Sequence, residues 1–316
     1  MHQNILGVDV AKDWIDVCDP ASGRMRHIET APRALKRFAA DLAPGTLVVL
    51  EASGGYERPL MEALEAPGIR DRGVAYARVN PRQAREFARA TGRLAKTDNV
   101  DAAMLAEMGR ALDLRPAAPA DPARRRLAAL VARREDLAQM ITAESNRLAC
   151  AREAFVRADI RSLLAVLKRR KLRLETEIEA HKRRHAELDA LDRRLRTAPG
   201  VGPAVASVLL ACMPELGQTD RRGAACLGGL APHASDSGHS KGKRCIWGGR
   251  AEVRRSLYLA AFIASRCDPE LRAFRKRLQD RGKPFKVAII ATARKLLTIL
   301  NAMIRERRDY QSRIPA

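Results

Sequence analysis

The sequence predicts an α/β domain at residues 1–115, a long helical arm at 116–196 and a mainly helical C-terminal domain at 197–316. Three observations support this division. Strand-like runs alternate with helical patterns up to residue 115, a linker rich in Pro and Ala follows, and the charge changes at the same place. The first 115 residues contain 17 Lys and Arg and 16 Asp and Glu, whereas the rest of the chain contains 42 and 21.

The positive charge of the second part predicts a module that binds a polyanion. Nucleic acid is the favoured partner. Phosphate contacts should dominate its binding, because aromatic residues make up only 4% of the chain and base stacking cannot be the main device. No membrane partner is expected, since charged residues interrupt the apolar run 285–304. Six scattered cysteines and the lack of a signal peptide predict a cytoplasmic protein.

The first domain begins with three predicted strands. The run at 5–11 is apolar apart from Asp9, and a carboxylate inside a buried strand is costly unless a partner or a metal meets its charge. The run at 14–18 alternates as a half-buried strand does, and Asp16 within it is predicted to be an ordinary surface acid. A third strand at 26–29 completes an antiparallel meander.

A helix, a strand, a helix and another strand follow the meander. The helix opens at Pro32, and the strand at 46–51 is a continuous apolar run that ends in Glu51. Such a run is typical of a central parallel strand, and functional groups gather at the carboxyl ends of such strands. The next helix is predicted at 56–64 and the next strand at 74–79. This order of elements is that of the ribonuclease H-like fold.

The stretch from 95 to 106 supplies two more acids. Thr97 is predicted to cap a helix whose first turn carries Asp98 and Asp101, three residues apart on one face. Acids are also favoured in a first turn because they complement the helix dipole, which is the alternative explanation. In the predicted fold, Asp9 and Glu51 would meet this pair. Four carboxylates can hold two Mg²⁺ or Mn²⁺ ions about 4 Å apart for phosphodiester chemistry.

The arm is predicted to be an antiparallel helical hairpin or a dimerising coiled coil. Five of the seven positions that follow alternating three and four spacing from 127 to 148 are apolar, and a second apolar run spans 160–195. Clusters of Arg and Lys along both runs predict a track for phosphates. Beyond the arm, residues 197–203 and the apolar helix after them resemble a helix-hairpin-helix element, whose turn offers backbone N–H groups to phosphate.

The last domain contains a glycine-rich segment with serines next to basic residues. Residues 217–250 hold 8 of the 20 glycines and are predicted to be a long, flexible surface segment. A serine hydroxyl here can attack phosphorus if a base or metal takes its proton. The alternative is a loop that holds DNA only through its Lys and Arg. The helix that follows is predicted to pack with the helix at 285–304.

The chain resembles the DEDD transposases of the IS-one-ten insertion-sequence class. Nine short motifs in the family's order carry the resemblance: 7–12 (GVDVAK), 51–56 (EASGGY), 79–81 (VNP), 95–102 (AKTDNVDA), 199–202 (PGVG), 230–232 (LAP), 237–238 (SG), 248–250 (GGR) and 257–258 (LY). The resemblance implies a RuvC-like N-terminal domain, a coiled coil and a C-terminal transposase domain. It also implies DNA as substrate, a structured non-coding guide RNA, and action at the bacterial nucleoid.

The resemblance assigns roles to particular residues. Asp9, Glu51, Asp98 and Asp101 match the acidic tetrad that binds Mg²⁺. Ser237 matches the serine that attacks DNA and forms a phosphoserine, with Ser235 and Ser240 as neighbouring alternatives. The acids and the serine of one site would come from different protomers of a homo-oligomer, a dimer or tetramer. Basic residues near these motifs are expected to bind nucleic acid: Lys96, Lys241, Lys243, Arg244, Arg250, Arg254 and Arg255.

Two other functions are compatible with the sequence. The first is a RuvC-like, Mg²⁺-dependent nuclease that uses water as nucleophile and leaves Ser237 idle. The second is a nucleic-acid-binding protein without catalysis. The complete set of four acids favours an enzyme over this second alternative, because the loss of one acid would already disable the metal site.

Overall fold

The computed structural model describes residues 4–92, 98–119, 121–233, 236–237, 240–241 and 244–312. Within these ranges it describes the side chains of all residues except 98–100, 236–237 and 240–241. The chain divides into two compact units, Met1–Pro119 and Ala120–Ala316, and the predicted linker coincides with the boundary between them. The second unit contains both the arm and the C-terminal region, so the separation of these two at residue 197 stays a prediction.

The first unit is a mixed sheet with helices on both faces, as the order of its elements predicted. The sheet has the strand order β3-β2-β1-β4-β5, in which β1 is parallel to β4 and antiparallel to β2, and β4 is parallel to β5. The elements are β1 Asn4–Val10, β2 Trp14–Asp19, β3 Arg24–Glu29, α1 Pro32–Ala40, β4 Thr46–Glu51, α2 Arg58–Leu64, α3 Pro67–Arg70, β5 Ala75–Val79, α4 Pro81–Ala90 and α5 Asp98–Ala111.

Helix α5 lies directly on the sheet, because two glycines leave room for it. A Cβ atom on Gly7 would lie 1.9 Å from the carbonyl oxygen of Ala102 and 2.4 Å from the backbone nitrogen of Ala106. A Cβ atom on Gly109 would lie 2.7 Å from Cγ2 of Val49 and 2.8 Å from Cγ2 of Ile5. Side chains alternate along a strand. The odd-numbered residues of β1 therefore face α5, whereas Leu6, Val8 and Val10 enter the core on the opposite face.

Strand β2 differs from the half-buried strand that its alternation predicted. All four residues Ile15–Cys18 are buried. Ile15 and Val17 belong to the core that also contains residues of α1 and α2, while α5 contacts the strand as well. The prediction was wrong because alternating polarity indicates a solvent-exposed face only when no helix covers that face. The predicted cap of α5, Thr97, lies outside the described residues.

The second unit is mainly helical. Its helices are α6 Pro122–Cys150, α7 Ala154–Arg184, α8 Ala186–Arg196, α9 Pro203–Cys212, α10 Arg221–Leu227, α11 Ala251–Cys267, α12 Pro269–Asp280 and α13 Phe285–Arg305. Helices α6 and α7 pack as an antiparallel pair, along which Arg126 pairs with Glu177 and Arg134 with Glu175. This pair agrees with the predicted hairpin, while a coiled coil and a helix-hairpin-helix element remain predictions.

The described residues of the glycine-rich segment 217–250 include short regular elements, and its predicted flexibility stays a prediction. It contains α10 and four two-residue strands, β6 Pro232–His233, β7 Asp236–Ser237, β8 Ser240–Lys241 and β9 Cys245–Ile246. Helix α13 packs against α11, as predicted. By length and composition α13 is the one helix of the described residues that could cross a membrane. Half of its most apolar window is buried inside the protein, which favours a core helix.

Candidate active site

Two of the predicted acids stand side by side at the carboxyl ends of neighbouring strands. Strands β1 and β4 are parallel, and Val8 is aligned with Leu50. Asp9 and Glu51 are the next residues of the two strands, so their backbones are level. Both are partly buried and, by alternation, lie on the face that α5 covers. The backbone N–H of Val10 donates a hydrogen bond of 3.0 Å to Oδ1 of Asp9.

The first turn of α5 reaches the same corner. Helix α5 runs antiparallel to β1, since Gly109 lies over Ile5 and Ala102 lies over Gly7. Two further residues along β1 lead from Gly7 to Asp9, a step of about 6.6 Å. Four residues back along α5 from Ala102 lead to Asp98, a step of about 6 Å. The N-terminal turn that carries Asp98 and Asp101 therefore lies at the level of Asp9.

The four acids thus share one corner of the sheet in terms of backbone position. Asp101 is partly buried, whereas the side chain of Asp98 lies outside the described ones. Among the residues that the structure describes, no group of three His, Cys, Asp or Glu side chains stands in a geometry that could hold a metal ion. The fit to a metal therefore rests on the donor set: four carboxylates from three segments are the hard oxygen ligands that Mg²⁺ takes.

A buried glutamate that was not predicted from sequence organises the loop after Glu51. Oε2 of Glu57 accepts hydrogen bonds from the backbone N–H groups of Ser53 (3.2 Å) and Gly55 (2.8 Å), and its Oε1 lies 2.8 Å from Nη2 of Arg78. The side chain of Glu57 is only 2% exposed. It therefore fixes the turn that follows β4. No capping signal identifies this role, because the side chain of Glu57 makes no capping hydrogen bond to α2 and instead binds the loop before it.

Asp16 is the clearest error of the sequence-based prediction. Asp16 in β2 is buried. It is the ladder partner of Asp9 in β1 and of His27 in β3. Ladder partners point to the same face, so Asp16 lies beside Asp9 under α5. Its Oδ1 is 2.7 Å from Nδ1 of His27. The sequence signal was an acid at an inward position of an otherwise apolar strand, the same signal that marked Asp9.

The serine segment forms a hairpin. Strand β6 pairs with β9, and β7 pairs with β8, so that Ser237 is the ladder partner of Ser240. The side chains of both serines lie outside the described ones, as does all of Ser235. The hairpin therefore holds two candidate nucleophiles opposite each other. At its base, the rings of His233 and Trp247 are 4.5 Å apart.

Close backbone contacts anchor the base of this hairpin. Gly249 has a φ of +61°, and a Cβ atom there would lie 2.2 Å from the backbone nitrogen of Gly229. The guanidinium of Arg254 donates to the carbonyl oxygen of Gly248 at 2.8 Å. Arg250 donates two hydrogen bonds of 2.6 Å to the carboxylate of Glu215. These contacts fix the strand β9 end of the hairpin to the helical core.

The pair formed by Arg250 and Glu215 shifts the pKa of both groups. Burial alone would raise the pKa of Glu215, but the hydrogen bonds and the charge of Arg250 outweigh it and hold the pKa below its ordinary value. The hydrogen bond to Glu215 raises the pKa of Arg250. Both groups are therefore charged at neutral pH.

The basic residues predicted to bind nucleic acid differ in whether their side chains already form contacts within the protein. Arg244 and Arg255 are exposed, and Arg255 lies 3.6 Å from Glu252. Arg250 and Arg254 are used in the contacts within the protein given above. The remaining three cannot be placed: Lys96 and Lys243 lie outside the described residues, and the side chain of Lys241 is not among the described ones. A role of these residues in binding nucleic acid stays a prediction.

Two family profiles match the chain. One is described as a transposase of DEDD type of the IS110 group and matches residues 6–151, which include the acids and α6. The other is described as a transposase of the IS116/IS110/IS902 family and matches residues 192–276, which include the serine hairpin. The first match covers most of the first unit and extends through α6 of the second unit, whereas the other match lies wholly in the second unit.

Several curated proteins are similar to the chain. An uncharacterized 43.6 kDa protein of insertion element IS110 from Streptomyces coelicolor is 35% identical over 49% of this chain and 38% of its own length. An uncharacterized 42 kDa protein of IS900 from Mycobacterium paratuberculosis is 31% identical over 47% and 39%. The pilin gene-inverting protein of Moraxella bovis is 28% identical over 99% of both chains. The aligned part is thus well under half the length of the two insertion-element proteins.

Proposed function

Because the chain belongs to the IS116/IS110/IS902 family of transposases, we propose that it is a recombinase that cuts and rejoins DNA with a serine nucleophile and a divalent-metal site. DNA transposase or recombinase is the enzyme class of this family. The observation that carries the proposal is the shared corner of Asp9, Glu51, Asp98 and Asp101 at the sheet edge in the first unit, together with a serine hairpin in the second.

The four acids would hold the metal ions. Bound there, Mg²⁺ would supply Lewis-acid stabilisation of charge on the phosphodiester oxygens. The chain's own contribution is to position the ligands: the sheet register aligns Asp9 with Glu51, and the glycine contacts seat α5 so that its acidic turn meets them. Glu57 holds the turn behind Glu51 in place. Mn²⁺ would fit the same oxygen ligands.

The serine would act as the nucleophile and hold the cut strand covalently until it is rejoined. The hydroxyl oxygen of Ser237 would attack a phosphorus and displace a sugar oxygen. The products are a sugar hydroxyl on one strand end and a phosphoserine that joins the protein to the other. Attack by a sugar hydroxyl of the new partner strand would then release the serine. This step keeps the number of phosphodiester bonds constant, which suits rejoining. The assignment of the serine rests on the family resemblance and on its place in the anchored hairpin.

The runner-up is a nuclease that uses water and leaves Ser237 idle. The full-length similarity to a pilin gene-inverting protein favours the recombinase. Inversion of a gene requires that every cut end be joined to a new end, and hydrolysis alone cannot do that. DNA is therefore the proposed substrate. A structured guide RNA, a homo-oligomer and a site composed of acids and serine from different protomers are proposed from the family resemblance.

Trapping of the covalent intermediate tests the serine step. The substrate is a nicked DNA whose short leaving strand dissociates after cleavage, so that religation cannot occur. A protein–DNA adduct should therefore accumulate, and mass spectrometry identifies the residue that carries it. Ser237→Ala should abolish the adduct and strand exchange but leave DNA binding intact. Ser240→Ala is the matched control, because Ser240 is the ladder partner of Ser237. An adduct that survives in Ser237→Ala and disappears in Ser240→Ala would move the role to Ser240, and recombination unaffected by either change would reject the serine step.

A further inference from the structure

A cleft of about 680 Å³ opens in the second unit between α10, α12, α13 and the segment that follows α13. None of its lining residues belongs to the serine hairpin or to the acidic corner. Its volume lies in the range of sites that hold a small ligand, about 300–1,000 Å³. The chemistry of the residues that line the cleft determines which small ligand it can bind.

The mouth of the cleft carries uncompensated positive charge. Lys295 is paired with Glu270 at 2.6 Å. Arg221, Arg222 and Arg294 also line the cleft, and none of them forms a salt bridge with another of the residues that the structure describes. Guanidinium groups match the oxygen pairs of phosphates, and they hold such groups with two hydrogen bonds each. Three of them around one cleft indicate an anionic ligand with phosphate chemistry.

The floor of the cleft is apolar. It is formed by α13, where Ile299, Ala302 and Met303 lie one helical turn apart or adjacent. A bare inorganic anion gains nothing from such a floor. A ligand with a flat apolar part next to a phosphate gains burial of that part as well as charge pairing. A nucleotide has both features.

Two hydrogen bonds hold one wall of the cleft in place. Its outer wall includes Tyr310, whose hydroxyl donates to Oδ2 of Asp268 at 2.7 Å. The backbone N–H of Tyr310 donates to Oγ1 of Thr197 at 2.9 Å. These bonds pin the segment after α13 to the helical core. A preformed site loses less entropy when it binds its ligand.

We propose that this cleft holds one unpaired nucleotide of a nucleic-acid strand, with its phosphates on Arg221, Arg222 and Arg294 and its base or sugar on the floor of α13. The proposal rests on nucleic acid being the substrate of the protein, as argued above. A paired duplex keeps its bases inside the stack, so only an extrahelical or single-stranded nucleotide can reach the apolar floor.

Binding of labelled DNA to the full-length chain tests this proposal. The probe is a fluorescein-labelled duplex with or without one unpaired nucleotide, and anisotropy is measured at several KCl concentrations. We expect the bulged duplex to bind roughly tenfold more tightly than the paired duplex, and Arg222→Gln/Arg294→Gln to remove this preference. The double variant should also lower the slope of log K against log salt by roughly 1.4, or about 0.7 for each lost contact.

A matched control removes the same charge elsewhere. Arg281 and Lys283 are exposed and do not line the cleft, so Arg281→Gln/Lys283→Gln should keep the preference for the bulge. A 4-thiothymidine at the unpaired position should crosslink to a peptide of α13. Equal binding of both duplexes by the unchanged protein, equal losses in the two double variants, or efficient competition by polyglutamate would overturn the proposal. Formation of the Ser237 adduct is measured separately, so failure of the cleft leaves the serine step standing, and the reverse also holds.

Discussion

Asp9 and Asp16 are ladder partners in the antiparallel pair of β1 and β2, and both lie on the face that α5 covers. Neighbouring carboxylates repel each other unless a cation or a proton compensates their charge. On one side, His27 contacts Asp16 at 2.7 Å. On the other side, the proposed metal site begins at Asp9. Asp16 therefore adds a fifth acid to the four that are proposed to hold the metal.

Neutralising Asp16 should weaken metal binding. We expect Asp16→Asn to raise the Mg²⁺ or Mn²⁺ concentration that gives half-maximal stabilisation by roughly tenfold, the size typical of groups just behind metal ligands. The measurement is the melting temperature of the protein during a metal titration, which does not depend on catalysis. Asp13→Asn is the matched control, because Asp13 is exposed in the turn between the same strands. Identical metal midpoints in the two variants would show that Asp16 has only a structural role.

The acidic turn of α5 should be needed for cleavage and not for binding. Asp101→Asn should lower DNA cleavage by at least about 100-fold, since even the partners of metal ligands typically contribute 10–100-fold. Its affinity for DNA, which the basic second part provides, should change little. Asp113→Asn removes an exposed acid just beyond the same helix and serves as the control. Normal cleavage in both variants would reject the metal site at this corner.

The packing of α5 on the sheet should not accommodate an added methyl group at Gly7. Gly7→Ala would place Cβ 1.9 Å from the carbonyl oxygen of Ala102, an atom of a helix backbone that cannot turn aside. We expect the free energy of unfolding to fall by about 3 kcal/mol or more, at the upper end for overpacking. The measurement is urea unfolding followed by circular dichroism. Gly68→Ala is the control, because nothing lies within 4 Å of its added Cβ and its φ is not positive. A loss in Gly7→Ala no larger than in the control would mean that α5 does not sit on β1 as described.

The sequence was sufficient for the order of elements in the first unit, apart from the four-residue helix α3, and for the strands β1 and β4 that carry Asp9 and Glu51. Hydrophobic periodicity and the residues that begin and end helices give such information directly. For example, Asn80 precedes Pro81 and caps α4 by accepting a 2.9 Å hydrogen bond from the N–H of Arg82. The roles of Asp16 and Glu57 were not predictable in the same way. Asp16 is buried under α5, and a local pattern contains no information about a helix that lies about 80 residues further along the chain. Glu57 depends on the conformation of the loop before it and on Arg78 of β5. The pairing of β7 with β8 was likewise not predicted, because the glycine content of the segment contains no information about strand pairing.

The salt bridge at the base of the hairpin should make the second unit less stable in acid. Arg250 holds the pKa of Glu215 below its ordinary value in the folded protein, while the unfolded chain has an ordinary carboxyl group. The folded state therefore binds fewer protons than the unfolded state in this range of pH. The stabilisation is fully present above the unfolded pKa, near 4.3, and is lost as the pH falls through the lower folded pKa.

Glu215→Gln should remove this dependence. The difference in unfolding free energy between the unchanged protein and Glu215→Gln should be constant from pH 7 to about 5 and should shrink as the pH falls below about 4. Urea unfolding at each pH measures it. Glu252→Gln, an exposed change at the start of α11, should give a difference that does not vary in the same way. Because the pair anchors strand β9, Glu215→Gln should also slow formation of the serine adduct at pH 7, while Glu252→Gln should not. A pH-independent difference for Glu215→Gln would mean that the carboxylate and Arg250 do not interact in solution as they do in the structure.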